Sequence, residues 1–147
     1  MVCVESETRS SALSRVIDRL KADFGDRADT GLALREQHGR GESHHGTLAP
    51  DIVVFPNSTA EVASIVRICA DDGIPIVPFG AGTSLEGNVS AVYGGVTIDL
   101  SRMTRIIRVG TEDLDCTVEA GVTRQQLNSY LRDKGLFFPI DPGGEAT

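Results

Sequence analysis

Between Ser11 and Phe24 the apolar residues fall at Leu13, Val16, Ile17, Leu20 and Phe24, the spacing of one buried helix face. Gly25 follows where a left-handed residue would end that helix. From Thr30 to Pro50 the periodicity is lost, and Gly39, Gly41, Gly46 and Pro50 punctuate a polar stretch that predicts a loop or strap. Ile52 to Phe55 is a short β-rich run. Ser58 with Glu61 predicts a capping box opening a helix whose buried face carries Val62, Ile65, Val66 and Cys69, and Gly73 stops it. Ile74 to Phe79 returns to strand composition. Ile52 to Phe79 is therefore predicted as strand, helix, strand, a right-handed crossover between parallel strands.

Further along, Val96, Ile98 and Leu100 alternate with Thr97, Asp99 and Ser101, and Leu114, Cys116, Val118 and Ala120 repeat the alternation. Two half-buried strands are predicted there, with a shorter one at Arg105 to Val109 between them. Thr123 with Gln126 makes a second capping box, Val122 is placed to staple onto Leu127, and Leu127, Tyr130 and Leu131 form the stripe ahead of Gly135. Strand, capped helix, strand thus occurs in Ile52 to Phe79 and again in Leu114 to Ile140. The pattern predicts two small α+β lobes, of which the second has only its opening elements. Residues 1–49 read as an N-terminal helix and loop extension, and residues 50–147 as the main domain, incomplete at its C-terminus.

Composition narrows the function classes. A chain of 147 residues, 40% apolar and 24% charged, fits one soluble globular domain. Aromatic residues make up only 5%, against 16 glycines, which favours backbone-made binding loops over stacking platforms. The net charge of -7 disfavours nucleic acid or an anionic membrane surface as partner. Cys3, Cys69 and Cys116 are odd in number and widely spaced, so neither a disulfide framework nor a zinc site is indicated and a reducing cytosol is expected. No apolar run is long enough for a bilayer, and the first ten residues lack the layout of a secretory signal, so a cytoplasmic protein is the expectation.

The segment that carries chemistry is Pro78-Phe79-Gly80-Ala81-Gly82-Thr83-Ser84-Leu85-Glu86-Gly87. It follows a strand directly, and its glycines let consecutive amides turn inward as a nest for phosphate oxygens, with Thr83 and Ser84 adding hydroxyls. No Lys or Arg lies in the loop, so backbone N–H groups would provide most of the stabilisation of a diphosphate. The dinucleotide spacing GxGxxG would need glycine at the place of Leu85, and a P-loop aligned on Gly82 and Gly87 would need lysine at the place of Asn88. Both readings fail. An isolated Gly-x-Gly is more often only a tight turn.

Three further stretches alter that weighing: Thr97-Ile98-Asp99-Leu100-Ser101-Arg102-Met103, Thr117-Val118-Glu119-Ala120-Gly121-Val122, and Leu136-Phe137-Phe138-Pro139-Ile140-Asp141-Pro142-Gly143. In that order, after Pro78 to Gly87, they resemble the FAD-linked oxidase family with a PCMH-type, vanillyl-alcohol-oxidase-like FAD domain. D-lactate dehydrogenases and the glycolate oxidase flavin subunit are the members most resembled, over roughly positions 35 to 147. The resemblance implies an α+β PCMH-type FAD-binding fold, here its first subdomain plus the start of the second, with FAD between the subdomains and a later substrate domain outside this chain. It implies that Pro78, Phe79, Gly80, Ala81, Gly82, Thr83 and Ser84 form the first FAD loop, and that Asp141, Pro142, Gly143, Gly144, Glu145, Ala146 and Thr147 begin the second.

Where covalent-flavin relatives carry a His in the first loop this chain has Thr83, so noncovalent FAD is expected. The chain also departs from the relatives at Gly41, where an Asp often follows the Arg of the His-Gly-Arg stretch, and at Gly144-Glu145, where Ala-Asp is common. The implied reaction is oxidation of a D-2-hydroxy acid, of the D-lactate or glycolate type, to a 2-oxo acid: a base takes the hydroxyl proton as the α-hydride passes to the flavin. The competing class is a noncatalytic truncated remnant or flavin-binding module that keeps the fold without turnover.

No catalytic residue and no metal ligand is assigned in this chain. His38, His44 and His45 are expected as solvated loop residues. Asn57-Ser58-Thr59 and Asn88-Val89-Ser90 match glycosylation sequons, but Ser58 is better explained as a helix cap. Glu112, Asp113 and Asp115 are expected on a solvated strand edge.

Overall fold

The computed structural model describes residues 2–41 and 44–140, with side chains from residue 9 onward. Helix α1 (Val2–Phe24) carries the predicted stripe but begins nine residues earlier than the apolar spacing marks. Val16 and Leu20 are fully buried, and Gly25 ends the helix at φ +55°, a conformation that glycine adopts without the Cβ penalty.

The chain next forms β1 (Ala28–Asp29), helix α2 (Leu32–His38), β2 (Ile52–Val54), helix α3 (Thr59–Asp71), β3 (Ile76–Phe79) and β4 (Val96–Asp99). The four strands make one sheet in the order β1-β2-β4-β3, with β1 antiparallel to β2 and with β2, β4 and β3 mutually parallel. The two strands of the predicted crossover unit are therefore parallel but not neighbours, because β4 inserts between them. Ile52, Val54, Val96 and Ile98 meet Val16, Leu20 and Phe24 of α1 and Ile65, Ile68 and Cys69 of α3 in a single core. Burial pushes the Cys69 thiol up to about 11, which leaves it a protonated, inert core group.

Helix α2 lies in the stretch expected to be loop. Its seven residues are too few to display a periodic stripe, and the residue it buries is His38. At its end Gly39 passes so close to the Leu48 carbonyl that a Cβ there would collide with it. Strand β4 also departs from expectation, being buried on both faces rather than one. Val96 and Ile98 point into the core; Thr97 and Asp99 point to the opposite face, where Asp99 meets His38 of α2.

Ser58 caps α3 by accepting from the Glu61 amide at 3.2 Å. The reciprocal arm of the box is displaced by one residue, since the Glu61 carboxylate accepts from Asn57 N at 2.7 Å and pairs with Arg27 at 2.6 Å. That arginine holds the Glu61 carboxyl below the usual range, with the Asn57 amide assisting. Within α3, Val66 is exposed and Ile68 takes the buried place expected for it. Replacing Ser58 by Ala is expected to destabilise the fold by about 1 kcal/mol, the usual worth of such a cap. Urea unfolding followed by circular dichroism checks this through a lower midpoint at an unchanged slope.

The second lobe is an antiparallel hairpin of β5 (Ile106–Gly110) and β6 (Asp115–Val118), followed by helix α4 (Arg124–Leu131). Thr123 accepts from the Gln126 amide at 3.2 Å, whereas the Gln126 side chain donates to the Thr104 carbonyl instead of closing the box. Leu127 and Leu131 are buried and Tyr130 is not. Leu114 is a turn residue at φ +54°, and Asp115, Cys116 and Thr117 are exposed, so the half-buried alternation predicted for this strand is not realised. Glu112, Asp113 and Asp115 are solvated as expected. Gly135 closes the helix at φ +69°. Among the described residues no helix is long and apolar enough to cross a membrane.

Candidate functional site

Strands β2, β4 and β3 run in the same direction, so their carboxyl ends open on one edge of the sheet, where ligands of parallel sheets collect. The glycine-rich loop leaves β3 on that edge. Its backbone turns at Gly82, which has φ +72°. The Phe79 ring lies directly under that turn, with Cζ 2.8 Å from the point a Cβ on Gly82 would occupy. Phe79, Gly82, Thr83 and Ser84 are half-buried, while Pro78, Gly80 and Ala81 are exposed.

The loop has spare donors. Among the described residues, the amides of Ala81, Gly82, Thr83 and Ser84 donate to no backbone or side-chain acceptor. The Ser84 hydroxyl accepts from Glu86 N at 3.4 Å, and no described bond engages the Thr83 hydroxyl. Unpaired amides around a residue in the left-handed region make an electropositive concavity that favours an anion. Two cavities flank it. One of about 860 Å³ lies between α2 and the loop, lined by Glu36, Arg40, Phe79, Ala81 and Gly82. The other, about 300 Å³, lies toward the second lobe between Gly80, Ala81, Ser101, Gly121 and Thr123. Ala81 lines both.

The predicted first-loop residues, Pro78 to Ser84, are thus brought together on one turn. The predicted second-loop residues, Asp141 to Thr147, lie outside the described residues. A site residue missed by the sequence reading is His38. Expected in solvent, it is only 3% exposed: Nε2 lies 2.7 Å from Asp99 Oδ2, Nδ1 lies 2.8 Å from the Leu34 carbonyl, and the ring packs on Phe79 at 4.4 Å between centroids. Burial alone would lower the His38 pKa, but the bonds to Asp99 and Leu34 outweigh it and hold it above the ordinary 6.5. For Asp99, burial is likewise outweighed by the bonds from His38 and Ser101, so its carboxyl stands below the ordinary 3.8. No local signal marks the pair: His38 ends a helix, Asp99 ends a strand sixty-one positions later, and only the tertiary fold brings them together.

Glu119 is a second missed residue. Its buried carboxylate accepts from Arg105 N at 2.8 Å, Nε at 2.9 Å and Nη2 at 2.6 Å, and the arginine holds it below the usual range. This fork ties the start of the hairpin to its end and presents the Ala120-Gly121 turn to the smaller cavity. His44 and His45 are exposed, as expected. Among the described residues no group of three or more His, Cys, Asp or Glu side chains converges.

The chain is similar to known proteins. A family model described as FAD binding domain matches residues 50–147. The chain is 49% identical over 140 residues to "Probable D-lactate dehydrogenase, mitochondrial" of Danio rerio, covering 95% of this chain and 28% of that protein. It is 38% identical over 93 residues to "Glycolate oxidase subunit GlcD" of Bacillus subtilis, covering 63% of this chain and 20% of that one. Among solved structures, alkyldihydroxyacetonephosphate synthase superposes with a TM-score of 0.78 at 26% identity, over 88% of this chain and 28% of the other. The chain spans between a fifth and a third of the length of these relatives.

Proposed function

Because this chain belongs to the FAD binding domain family, we propose that it is the FAD-holding portion of a flavin-dependent D-2-hydroxy-acid dehydrogenase of the D-lactate or glycolate type. The observation that carries the reading is the set of unpaired amides from Ala81 to Ser84 around left-handed Gly82, on the open edge of the sheet. These residues fit a diphosphate: four donors without acceptors among the described residues, a glycine whose Cβ would strike Phe79, and cavities on both sides for the two halves of a dinucleotide.

In this reading the amides of Ala81 to Ser84 and the Thr83 hydroxyl hold the diphosphate, and Asp141 to Thr147 begin the second FAD loop. FAD, when bound, supplies the acceptor for the substrate's α-hydride. Phe79 keeps water from the underside of the loop, and the Glu119–Arg105 fork fixes the turn that faces the cofactor from the other lobe. Thr83 stands where covalent-flavin relatives carry the His that bonds to the ring, and it offers no imidazole nitrogen for that bond, so the flavin is noncovalent. The domain runs over residues 50–147, with residues 1–49 as an extension in front. The substrate, a small 2-hydroxy acid, and the base that takes its hydroxyl proton belong to a domain outside this chain. The thiol content favours a reducing compartment, of which the cytosol is one and the mitochondrion named for the Danio rerio relative is another.

The complete encoded protein is expected to reduce a dye acceptor with D-lactate, glycolate or D-2-hydroxyglutarate and to need no nicotinamide. The 147-residue chain alone is expected to give no turnover, because catalysis depends on orienting both reactants and this chain holds only one. Strict dependence on NAD, or robust turnover by the isolated chain, would overturn the assignment.

A further inference from the structure

We propose that the buried His38–Asp99 pair is a positioning device for the glycine-rich loop, acting through the Phe79 ring and making the loop's grip on its ligand sensitive to pH. The proposal rests on the FAD reading only for the identity of the ligand. Its structural basis is a chain of contacts. Asp99 at the end of β4 accepts from Ser101 N through Oδ1 at 2.8 Å and faces His38 through Oδ2 at 2.7 Å. The His38 ring packs on Phe79, and Phe79 fills the space beneath Gly82.

The His38 ring is placed between two acceptors. A carbonyl cannot donate, so Nδ1 must carry a hydrogen toward Leu34 O, and a carboxylate cannot donate, so Nε2 must carry one toward Asp99. Both nitrogens are therefore protonated and the ring is an imidazolium. Loss of that proton leaves a lone pair facing a buried oxygen, which is costly where no water can intervene. The ring must then shift, and the two groups it touches edge-on or tilted are Phe55 at 5.9 Å and Phe79 at 4.4 Å. The Phe55 ring is covered by the Arg102 guanidinium, 4.6 Å from its centroid. Phe79 is the ring that borders open cavity, so the shift passes to it and from it to Gly82.

Other charged groups around the pair do not mimic it. On α2, Arg35 donates to the Pro50 carbonyl at 2.6 Å, and Glu36 and Arg40 line the larger cavity. Arg102 lies over the Phe55 ring rather than against the pair. His45 lies beside Gly87 at the far end of the loop. The sign follows from the raised His38 value: its contribution is fully present below 6.5 and is lost as pH rises through the folded value, while that of Asp99 is lost only as pH falls through a value below 3.8.

The test uses the complete encoded protein. Imidazole nitrogen shifts follow His38, amide-exchange protection factors at Gly82 and Thr83 follow the loop without FAD, and flavin fluorescence gives the FAD dissociation constant from acid to alkaline pH. Protection at the loop and affinity for FAD are expected to fall about tenfold with the midpoint of His38, the equivalent of one charge-assisted hydrogen bond. His38→Gln, which keeps a donor toward Asp99 but no charge, is expected to hold the loop at the weak level and remove the pH dependence. Should that variant not fold, the wild-type titration still decides. A neutral His38 below pH 6.5, or loop protection indifferent to its titration, overturns the inference. If protection follows His38 while FAD is not bound at any pH, the device stands and the FAD reading is what fails.

Discussion

Gly82→Val in the complete protein is expected to abolish stoichiometric flavin while leaving the fold intact, whereas Ala81→Ser retains it. Two effects add at Gly82. Its φ of +72° lies where an L side chain costs roughly 1–2 kcal/mol, more for a β-branched one. A Cβ would also meet the Phe79 ring at 2.8 Å, and Phe79 cannot retreat freely because His38 packs on it at 4.4 Å. The loop escapes both by leaving the left-handed conformation, which reorients the Gly82 and Thr83 amides. Losing two or three convergent donors to a diphosphate is expected to weaken FAD at least about a hundredfold, taking 1.5–3 kcal/mol for each charge-assisted bond. Ala81 is exposed and makes no comparable demand. Flavin absorbance per protein after gel filtration reads the difference, and equal occupancy in the two variants would remove Gly82 from the clasp.

Gly121→Ala is expected to have the largest effect on stability. The turn it occupies is folded back on the segment after β4: Gly121 N donates to the Met103 carbonyl at 2.9 Å, and Met103 N donates to Leu100 O at 2.9 Å. A Cβ on Gly121 would land on the Leu100 carbonyl oxygen and 2.9 Å from that of Met103. Both are backbone atoms, so no side chain can swing aside, and the two lobes would have to separate or the Glu119–Arg105 fork would have to break. Overpacking of this kind costs roughly 1–3 kcal/mol when the surroundings can yield, and here the upper end or beyond is expected. The check is the urea midpoint of Gly121→Ala beside that of Ser58→Ala. A smaller shift for Gly121→Ala would mean that the lobes are not locked at this turn.

The helices α1, α3 and α4 were legible from their apolar spacing and from Gly25, Gly73 and Gly135, stops that the structure realises at positive φ, and the strands β2, β3, β4 and β5 from short β-rich runs between turn residues. Helix α2 was not legible, since its only deeply buried side chain is a histidine. That histidine is stabilised by Asp99, sixty-one positions away, a pairing that no local pattern announces. Strand β4 carried an alternating pattern that means one wet face in isolation. On its polar face Asp99 is paired with His38 of α2, and Thr97 is left with a buried hydroxyl that finds no partner among the described residues. In β6 the pattern misled in the opposite direction, for Leu114 and Cys116 remain exposed on a two-stranded sheet.

The site divides in the same way. A run of glycines after a strand is a local feature, so Pro78 to Ser84 could be read from the chain. What supports that run cannot: Phe79 beneath Gly82, His38 behind Phe79, and the Glu119–Arg105 fork opposite are all products of the packed sheet.

The most direct test of the whole account is to titrate the complete protein with FAD and follow backbone amide shifts and exchange at every assignable residue. Saturable binding is expected, with the largest perturbations and new protection at Ala81, Gly82, Thr83 and Ser84, together with release of the intact cofactor on denaturation. Binding that leaves these four amides unchanged, or no binding under conditions where His38 is protonated, would contradict it.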